Sequence, residues 1–495
     1  MNQTSFSIFE QNYSRMNSIW HEGQPTYEQI ENQLQQQQLE KAIQIKDEFN
    51  KFIDRPQYKL VNQFLVSTNC FLNMNNLRLK TITHNNIKGI QLSGKNECLQ
   101  LFGEKKVIQK WKTYIAKYTI QRHFQKHYKI LKLIGQGSYA KVFKIQRKQD
   151  QSIFAVKIFK KVNVLEKEKG VESLLLEIDI MRKLKYENVI QLHEVFEDAE
   201  KVYLIIDYLQ GGDLLNKILN KLEDYNEHIV QNLMFNLLSS LKYLHSKNII
   251  HRDLKPENLI FRTKCNMIDI VIADFGLSDI YNEHDIYLFQ RCGTVGYVAP
   301  EVLKDQTYNH KVDIFSAGVI LFILLTGEMP FINYANSEEL VVSNYQCQID
   351  FDKLNHKNIS AQAQNLVKLL LEVNICQRPS AEDALLHEWF TNPKTETFCN
   401  LPVNIVPFMV TRKNQDDIIK SSTPLWNQNE SFQDSSFLQS KNQNEGLQNE
   451  TRYFDDLIKS QLDYFENMDD SIEEDQTLSN MVPRYHMLVR QRSYD

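Results

Sequence analysis

The spacing of apolar and polar residues changes along the chain and divides it into four parts. Residues 128–390 show dense apolar periodicity, strand-like at first and helical later. Residues 55–120 contain short alternating runs separated by Asn and Gly, which predict strands and turns. The flanks, 1–54 and 391–495, are rich in Gln, Asn, Ser and acidic residues. The pattern predicts an α+β protein in which a small β-rich module precedes the main domain and a mostly disordered tail follows it.

The lead-in contains one helical pattern. Thr26 is suited to cap a helix that runs to about Phe52. Its apolar face is made of Ile30, Leu34, Ile45 and Phe49. A partner or coiled-coil helix and a solvated or disordered segment remain equal alternatives, because the heptad spacing is not sustained.

The module of residues 55–120 combines the strand-like runs YKLVNQFLV, LRLKTITH, IKGIQLS and CLQLFG with the amphipathic segment KKVIQKWKTYIAKY. This last segment is predicted to be a helix whose apolar face consists of Val107, Trp111, Tyr114 and Ile115. Strands closed by a helix with a core tryptophan resemble the second half of a pleckstrin-homology-type domain. This resemblance implies phosphoinositide binding, which needs a basic cluster in the first hairpin. Because Lys59, Arg78 and Lys80 are scattered, a structural or protein-binding module is the favoured alternative.

Composition narrows the class of protein. A net charge of -5 over 495 residues argues against bulk binding of nucleic acid. Seven cysteines without a CxxC pair fit reduced thiols better than disulfides or a zinc site. The apolar run 317–327 is shorter than the roughly 20 residues that span a bilayer, and the N-terminus is not typical of a secretory signal. We therefore expect a cytoplasmic location, with membrane recruitment and a nuclear location as alternatives.

A glycine-rich loop opens the main domain. The segment LKLIGQGSYAKVFKI contains Gly135 and Gly137, while Ala140 stands in place of a third glycine. A dinucleotide-binding loop should lead into a helix, whereas this one leads into the strand-like KVFKIQ. The pattern therefore favours a hairpin folded over phosphate groups.

Lys157, in the apolar segment FAVKIF, is predicted to lie in a buried strand. A buried ammonium group needs a partner, since an unpaired buried charge is expensive. Both the phosphates of ATP and a carboxylate of the protein can be this partner. Glu177 in the helical run ESLLLEIDIMRKL is the predicted carboxylate, with Glu172 as its rival.

The segment IIHRDLKPENLIF resembles the catalytic loop of eukaryotic protein kinases, in the form typical of serine/threonine kinases. The resemblance implies that Asp253 orients the substrate hydroxyl or accepts its proton, that Lys255 contacts the transferred phosphate, and that Asn258 binds magnesium. In VIADFGLS, Asp274 would hold magnesium bridging the phosphates. The implied fold is a bilobal kinase domain, with a β-rich small lobe at 128–206 and a mainly helical large lobe at 207–390.

Further motifs follow in the expected order. Thr294 in CGTVGYVAPEVL would bridge the catalytic aspartate and lysine, and Glu301 would pair with Arg378. Asp313 in KVDIFSAGVILF would brace the catalytic loop. The residues that the resemblance assigns to ATP are Ile134, Gly135, Gln136, Gly137, Ser138, Tyr139, Ala140, Lys141, Val142, Ala155, Lys157, Ile206, Asp207 and Leu209. ATP and Mg²⁺ are the implied cofactors, and protein substrates are the implied partners.

The segments GGDL and HEWF resemble calcium/calmodulin-dependent-type kinases. Asp213 and Glu257 lie where such kinases contact basic substrate residues, which predicts a preference for upstream Arg or Lys. A catalytically inactive scaffold is the alternative, but inactive versions usually lack the ATP-binding lysine or one of the catalytic aspartates, and here all three are present.

The sequence departs from the kinase pattern at one position that bears on regulation. Gln290 occupies the position of the usual activation-loop phosphoacceptor, so we expect catalysis without phosphorylation there. Ser278, Tyr281 and Tyr287 are the alternative acceptors. Residues 400–420 do not form a convincing basic amphipathic helix, so calmodulin control remains open.

Overall fold

The computed structural model describes residues 7–9, 20–22, 44–46, 52–53, 59–61, 63–66, 70–94, 98–137, 140–167, 169–219, 226–281, 292–304, 306–332, 337–355 and 359–391. The predicted disordered tail lies outside these residues, apart from Thr391.

The N-terminal module is built from antiparallel strands and one helix. Its strands are β1 (Trp20–Glu22), β2 (Gln44–Lys46), β3 (Phe52–Ile53), β4 (Lys59–Val61), β5 (Phe64–Val66), β6 (Cys70–Asn73), β7 (Arg78–His84), β8 (Ile87–Ser93) and β9 (Cys98–Phe102). These strands form two sheets, in the orders β1-β6-β5-β4 and β7-β8-β9-β2-β3. Helix α1 (Lys105–Ile115) packs its apolar face into the core that both sheets share, with Ile108, Trp111 and Ile115 buried. The predicted strands and helix of the module are therefore confirmed.

The helix predicted from Thr26 to about Phe52 differs from the structure where the structure describes it. Gln44–Lys46 is a strand that pairs with β9, so that Ile45 lies opposite Leu101. Pairing with an open sheet edge satisfies the backbone of this segment, which outweighs a weak helical preference. The module therefore includes strands that precede residue 55.

The small lobe consists of a five-stranded antiparallel sheet and two helices, preceded by two short connecting elements. These elements are β10 (Ile120–Gln121), α2 (Phe124–His127), β11 (Tyr128–Gln136), β12 (Ala140–Arg147), β13 (Ile153–Lys160), α3 (Lys161–Glu166), α4 (Gly170–Lys183), β14 (Leu192–Glu197) and β15 (Lys201–Ile206). Strand β10 pairs in parallel with β7 on one side and β14 on the other, so the sheet of the module continues into that of the small lobe. This continuity is not evident from the sequence pattern.

The large lobe is mainly helical. Its elements are α5 (Leu214–Leu219), α6 (Glu227–His245), β16 (Ile249–Ile250), β17 (Leu259–Phe261), β18 (Ile270–Ile272), β19 (Asp279–Ile280), α7 (Pro300–Leu303), α8 (Lys311–Thr326), α9 (Ser337–Gln346), α10 (Ala361–Leu370), α11 (Ala381–Leu385) and α12 (Glu388–Thr391). Helix α8 contains most of the apolar run 317–327 and is buried along nearly its whole length. It ends at Gly327, whose left-handed backbone closes the helix.

None of the helices in the described part of the chain is long and apolar enough to span a bilayer.

Candidate active site

Three charged side chains meet between the two lobes. Strand β13 carries Lys157, whose Nζ lies 2.7 Å from Glu177 Oε1 on α4 and 2.8 Å from Asp274 Oδ1. Glu172 is exposed, so Glu177 is the partner that the structure brings to the lysine. Burial alone would lower the pKa of Lys157, but the two carboxylates outweigh it and raise that pKa. The same lysine holds the pKa of Asp274 well below its usual range.

The catalytic loop between β16 and β17 forms a second cluster. Thr294 donates its hydroxyl to Asp253 Oδ1 at 2.5 Å and accepts a hydrogen bond from Lys255 Nζ at 2.7 Å. Lys255 Nζ also lies 3.0 Å from Asp253 Oδ2. The amide nitrogen of Asn258 donates to the carbonyl oxygen and to Oδ2 of Asp253, at 2.7 and 3.1 Å. Asp253 is thereby fixed by three neighbours.

Asp313 on α8 holds the backbone of this loop in place by hydrogen bonds. Its two carboxylate oxygens accept the N–H groups of His251 and Arg252, both at 2.9 Å. Burial alone would raise the pKa of Asp313, but the hydrogen bond from His245 and nearby histidines lower it. Arg252 and Asp274 have φ angles of 66° and 64°, in the left-handed region. Such backbone conformations are costly for non-glycine residues and are concentrated at functional sites.

The glycine-rich hairpin lies at the end of β11 and β12. Gly135 pairs with Val142, and the N–H of Gly137 donates to the Ala140 carbonyl at 2.9 Å. A Cβ on Gly135 or Gly137 would meet protein atoms no closer than 3.6 Å. Packing within the protein therefore does not require these glycines, whereas a bare backbone suits close approach to a phosphate.

The remaining residues that were predicted to bind the nucleotide differ in their burial. Ala155 and Ile206 are buried on paired strands, opposite one another in register. The N–H of Asp207 donates to the Gln191 carbonyl at 3.2 Å, which ties the linker between the lobes to the start of β14. Ile134, Gln136, Gly137 and Lys141 are exposed, and Val142 and Leu209 are half-buried. Ser138 and Tyr139 lie outside the described residues.

The two predicted substrate-contacting acids differ in surroundings. Asp213 caps α5, since its Oδ1 accepts the N–H of Asn216 at 2.7 Å. Glu257 lies in the short turn Pro256–Asn258, directly between Lys255 and Asn258 in sequence, and is half-buried. Asp213 also forms a β-bridge with Ile260, two residues after Asn258, so both acids belong to segments that adjoin the catalytic loop.

Glu301 and Arg378 form a buried ion pair within the large lobe. Nη1 and Nη2 of the arginine donate to Oε1 and Oε2 of the glutamate at 2.7 and 3.1 Å. Arg378 is fully buried and Glu301 is 3 % exposed. The guanidinium also donates to the carbonyl oxygens of Glu372 and Lys311. This pair fastens α7, which follows Thr294, to the segment before α11.

Sequence reasoning missed two contacts of the catalytic loop. His251 is fully buried, and its Nε2 lies 3.1 Å from the carbonyl oxygen of Ala273, directly before Asp274. Arg252 Nη1 lies 3.1 Å from Asp279 Oδ2, and its Nε donates to the Leu277 carbonyl at 2.6 Å. The HRD and DFG motifs could have indicated His251, but nothing in the pattern singled out Asp279. Gln290 and Tyr287 lie outside the described residues.

The donor set fits Mg²⁺ and ATP. Mg²⁺ is commonly held by one or two carboxylates together with phosphate oxygens, and Asp274 with the amide oxygen of Asn258 supplies protein ligands of this kind. The metal, when bound, would neutralise charge on the transferring phosphoryl group.

Comparison with known proteins agrees with this geometry. Residues 128–390 match the family model described as the protein kinase domain. Myosin light chain kinase A of Dictyostelium discoideum is 38% identical over 271 residues, which cover 54% of this chain and 88% of the relative. Calcium/calmodulin-dependent protein kinase type 1 of Macrobrachium nipponense is 36% identical over 266 residues, covering 54% and 75%. Calcium-dependent protein kinase 4 of Plasmodium falciparum is 36% identical over 300 residues, covering 59% and 56%.

The expected bilobal fold is thus confirmed, with its β-rich small lobe, its helical large lobe and a β module before them. The chain belongs to the protein kinase family and is a serine/threonine kinase, similar to the calcium/calmodulin-dependent type, that uses ATP and Mg²⁺ to phosphorylate protein substrates.

Proposed function

We propose that Asp253 orients the substrate hydroxyl and accepts its proton as the γ-phosphoryl group is transferred. The observation that carries this proposal is the cluster in which Thr294, Lys255 and Asn258 all contact the Asp253 carboxylate. A carboxylate fixed in this way is aligned before the substrate arrives, which is the main contribution a protein makes to phosphoryl transfer. Lys255 lies beside it as a cation for the transferred phosphate.

Lys157 would bind the ATP phosphates, with Glu177 holding its ammonium group in place. In the described arrangement Lys157 bridges Glu177 and Asp274. Asp274 and Asn258 would hold Mg²⁺, and Glu177 would keep the ammonium group of Lys157 in place. The carbonyl of Asp207 and the peptide of Leu209 would bind adenine beside the buried Ile206.

The roles of these residues are tested with the purified full chain, radiolabelled ATP, Mg²⁺ and a positional peptide library. Lys157→Met and Asp274→Asn should each reduce phosphate transfer to background while the protein remains folded by circular dichroism. Transfer at the wild-type rate in either folded variant would refute the corresponding role.

We also propose that Asp213 and Glu257 select substrates with upstream basic residues. Both acids adjoin the catalytic loop, and an acidic pair there would attract Arg or Lys of a bound peptide. Glu257→Gln and Asp213→Asn remove the charges with little change of shape. Asn also caps helices well, so α5 should persist in the second variant. The preference for upstream Arg should weaken in both variants, and an unchanged library profile would refute the proposal.

Phosphorylation-independent activity is supported by the partners of Arg252. The resemblance implies that Arg252 would normally pair with a phosphate on the activation loop. Here its guanidinium pairs with the carboxylate of Asp279, which supplies a negative charge within the chain. Phosphatase treatment should therefore leave activity unchanged. A loss of activity that maps to Ser278, Tyr281 or Tyr287 would contradict this. Ser278 is buried, with 3 % exposed, which disfavours it as an acceptor.

Control by calcium or calmodulin is a second regulatory candidate. Two relatives favour it by their names, one a calcium-dependent and the other a calcium/calmodulin-dependent protein kinase. To test this control, kinase activity is measured under three conditions: with calcium and calmodulin, with calcium alone, and with a calcium chelator. Equal rates under all three conditions would refute it.

For the N-terminal module we propose a structural or protein-binding role rather than a phosphoinositide-binding one, because its strand β7 pairs with β10, which also pairs with β14 of the small lobe. Sedimentation of the full chain with phosphoinositide vesicles, compared with neutral vesicles, should show no difference.

A cytoplasmic location is proposed from the unpaired cysteines among the described residues. Imaging of a tagged full chain tests it, and accumulation at membranes or in the nucleus would refute it.

A further inference from the structure

Arg182 lies in the last turn of α4, the helix that carries Glu177, and is enclosed where the module meets the small lobe. Only 2% of its side chain is exposed. Its Nε donates to the carbonyl oxygen of Lys117 at 3.0 Å, and its Nη1 donates to Asn76 Oδ1 at 2.8 Å. Asp179, one turn earlier, pairs with it at 3.2 Å. Arg182, which belongs to the kinase domain, is thus buried among hydrogen-bond acceptors, two of which the module supplies.

The module holds the same end of α4 through a second contact. Lys117 Nζ donates to the carbonyl oxygen of Leu184, which directly follows α4, at 3.1 Å. The N–H of Asn76 donates to the Tyr118 carbonyl at 2.9 Å, which fastens the two module segments to each other. Hydrogen bonds therefore run in both directions between the module and the helix end.

These contacts bear on catalysis because α4 is a single rigid element. Glu177 precedes Arg182 by five residues, about 7.5 Å along the helix axis. Its carboxylate is nearly buried and holds Lys157 at 2.7 Å. A shift of α4 would move this carboxylate relative to β13. Hydrogen bonds that fix one end of the helix therefore restrict the position of Glu177.

We propose that Arg182 is a positioning residue that fastens α4 to the N-terminal module and thereby holds Glu177 against Lys157. The proposal rests on the roles of Lys157 and Glu177 proposed above. It assigns the module a function within the chain: it is part of the structure that keeps the catalytic site assembled. Detachment of the module would expose the arginine, remove its fixed acceptors and release α4.

The test uses the full chain with one variant on each side of the contact. Arg182→Ala removes the guanidinium. Asn76→Gly removes the acceptor from the module, more than one hundred positions away in sequence. Glycine also tolerates the left-handed φ of 67° at this position, so the turn should be preserved. Lys183→Ala is the matched control, because Lys183 is the exposed neighbour of Arg182 on the same helix.

Each of the two variants should lower kcat/KM for ATP by roughly tenfold, within the usual range of coupling between sites. The double variant should lose little more than either single variant, because both remove the same contact. Amide hydrogen exchange in α4 should accelerate in all three. Arg182→Lys, which keeps the charge but reaches fewer acceptors, should recover part of the activity, and Lys183→Ala should behave as wild type.

Wild-type kcat/KM in folded Arg182→Ala or Asn76→Gly protein would overturn the proposal, as would losses that multiply in the double variant. If Arg182→Ala does not fold, Asn76→Gly alone decides, since its substitution lies outside the kinase domain. A wild-type chain without phosphate transfer would instead refute the proposed function. In that case the exchange rates of α4 would still show whether Asn76 and Arg182 hold the helix.

Discussion

Replacement of Thr294 should reveal how much the fixed geometry of Asp253 contributes to catalysis. Thr294→Ala removes a hydroxyl that donates to Asp253 Oδ1 at 2.5 Å and accepts from Lys255 Nζ at 2.7 Å. Asn258 still donates to Asp253, but Lys255 and Asp253 are then linked to each other only by their direct contact of 3.0 Å. Without the hydroxyl between them, we expect the two side chains to be held less firmly in the positions that phosphate transfer requires.

The size of the effect follows from the type of hydrogen bond. A hydrogen bond to a charged group contributes about 1.5–3 kcal/mol. At about 1.36 kcal/mol for each factor of ten, loss of this contribution in the transition state lowers kcat roughly 10- to 150-fold. Substrate binding does not require the hydroxyl, so KM for the peptide should change little.

The assay is steady-state phosphate transfer to the best peptide from the library, at saturating ATP. Thr294→Ser is the matched control because it keeps the hydroxyl and removes only a methyl group. Its kcat should stay within about threefold of wild type, less than the loss of a single charged hydrogen bond. Wild-type kcat in Thr294→Ala would show that the hydroxyl does not position Asp253 for catalysis, and so would an equally large loss in Thr294→Ser.

Further predictions concern stability and its pH dependence. Arg378→Met leaves the buried carboxylate of Glu301 without its partner and should reduce the free energy of unfolding by about 3–5 kcal/mol, whereas the double variant Arg378→Met/Glu301→Met should recover much of the loss. Urea denaturation checks both, and an equally unstable double variant would contradict the explanation. Burial, with the nearby charges of Arg182 and Lys185, lowers the pKa of Lys117 from 10.5 to about 8. Between these values the unfolded chain binds the extra proton, so this group should raise the unfolding free energy by about 3 kcal/mol as the pH rises from 8 to 10.5. Lys117→Met should lack this rise relative to wild type, and parallel pH profiles of the two proteins would exclude it. Asp313→Asn should lower kcat at least tenfold, because a neutral amide cannot accept both loop N–H groups that the carboxylate holds; a folded variant with wild-type kcat would show that the loop needs no such support.

The sequence predicted the kinase domain well because its chemistry is concentrated in contiguous motifs. Residues such as Asp253, Lys255 and Asn258 lie within six positions of one another, so local pattern alone brings them together. Lys157 and Glu177 were paired by a physical argument, that a buried ammonium group requires a carboxylate. The module's strands and helix between residues 55 and 120 were also predicted, because their apolar periodicities are regular and short turns separate them.

What the sequence did not predict depends on contacts between distant segments. Nothing in the pattern near Asn76 indicates that its side chain meets Arg182, and a basic residue in the last turn of a helix usually suggests solvent exposure. Strand β2 was predicted as helix because its pairing with β9 is visible only in three dimensions. Asp279 was missed for the same reason: its importance lies in its partner Arg252, which no spacing rule connects to it.

The role that we propose for Asp253 is to direct phosphate transfer to serine and threonine hydroxyls. It is tested most directly by comparing the full chain with its Asp253→Asn variant, which keeps the shape of the side chain but cannot accept the proton. Both proteins are incubated with radiolabelled ATP, Mg²⁺ and peptides that differ only in Ser, Thr or Ala at the acceptor position. We predict labelling of the Ser and Thr peptides by the wild type and a fall of roughly 10²- to 10⁴-fold in the variant. Labelling by the folded variant at the wild-type rate, or none by the wild type, would contradict the account.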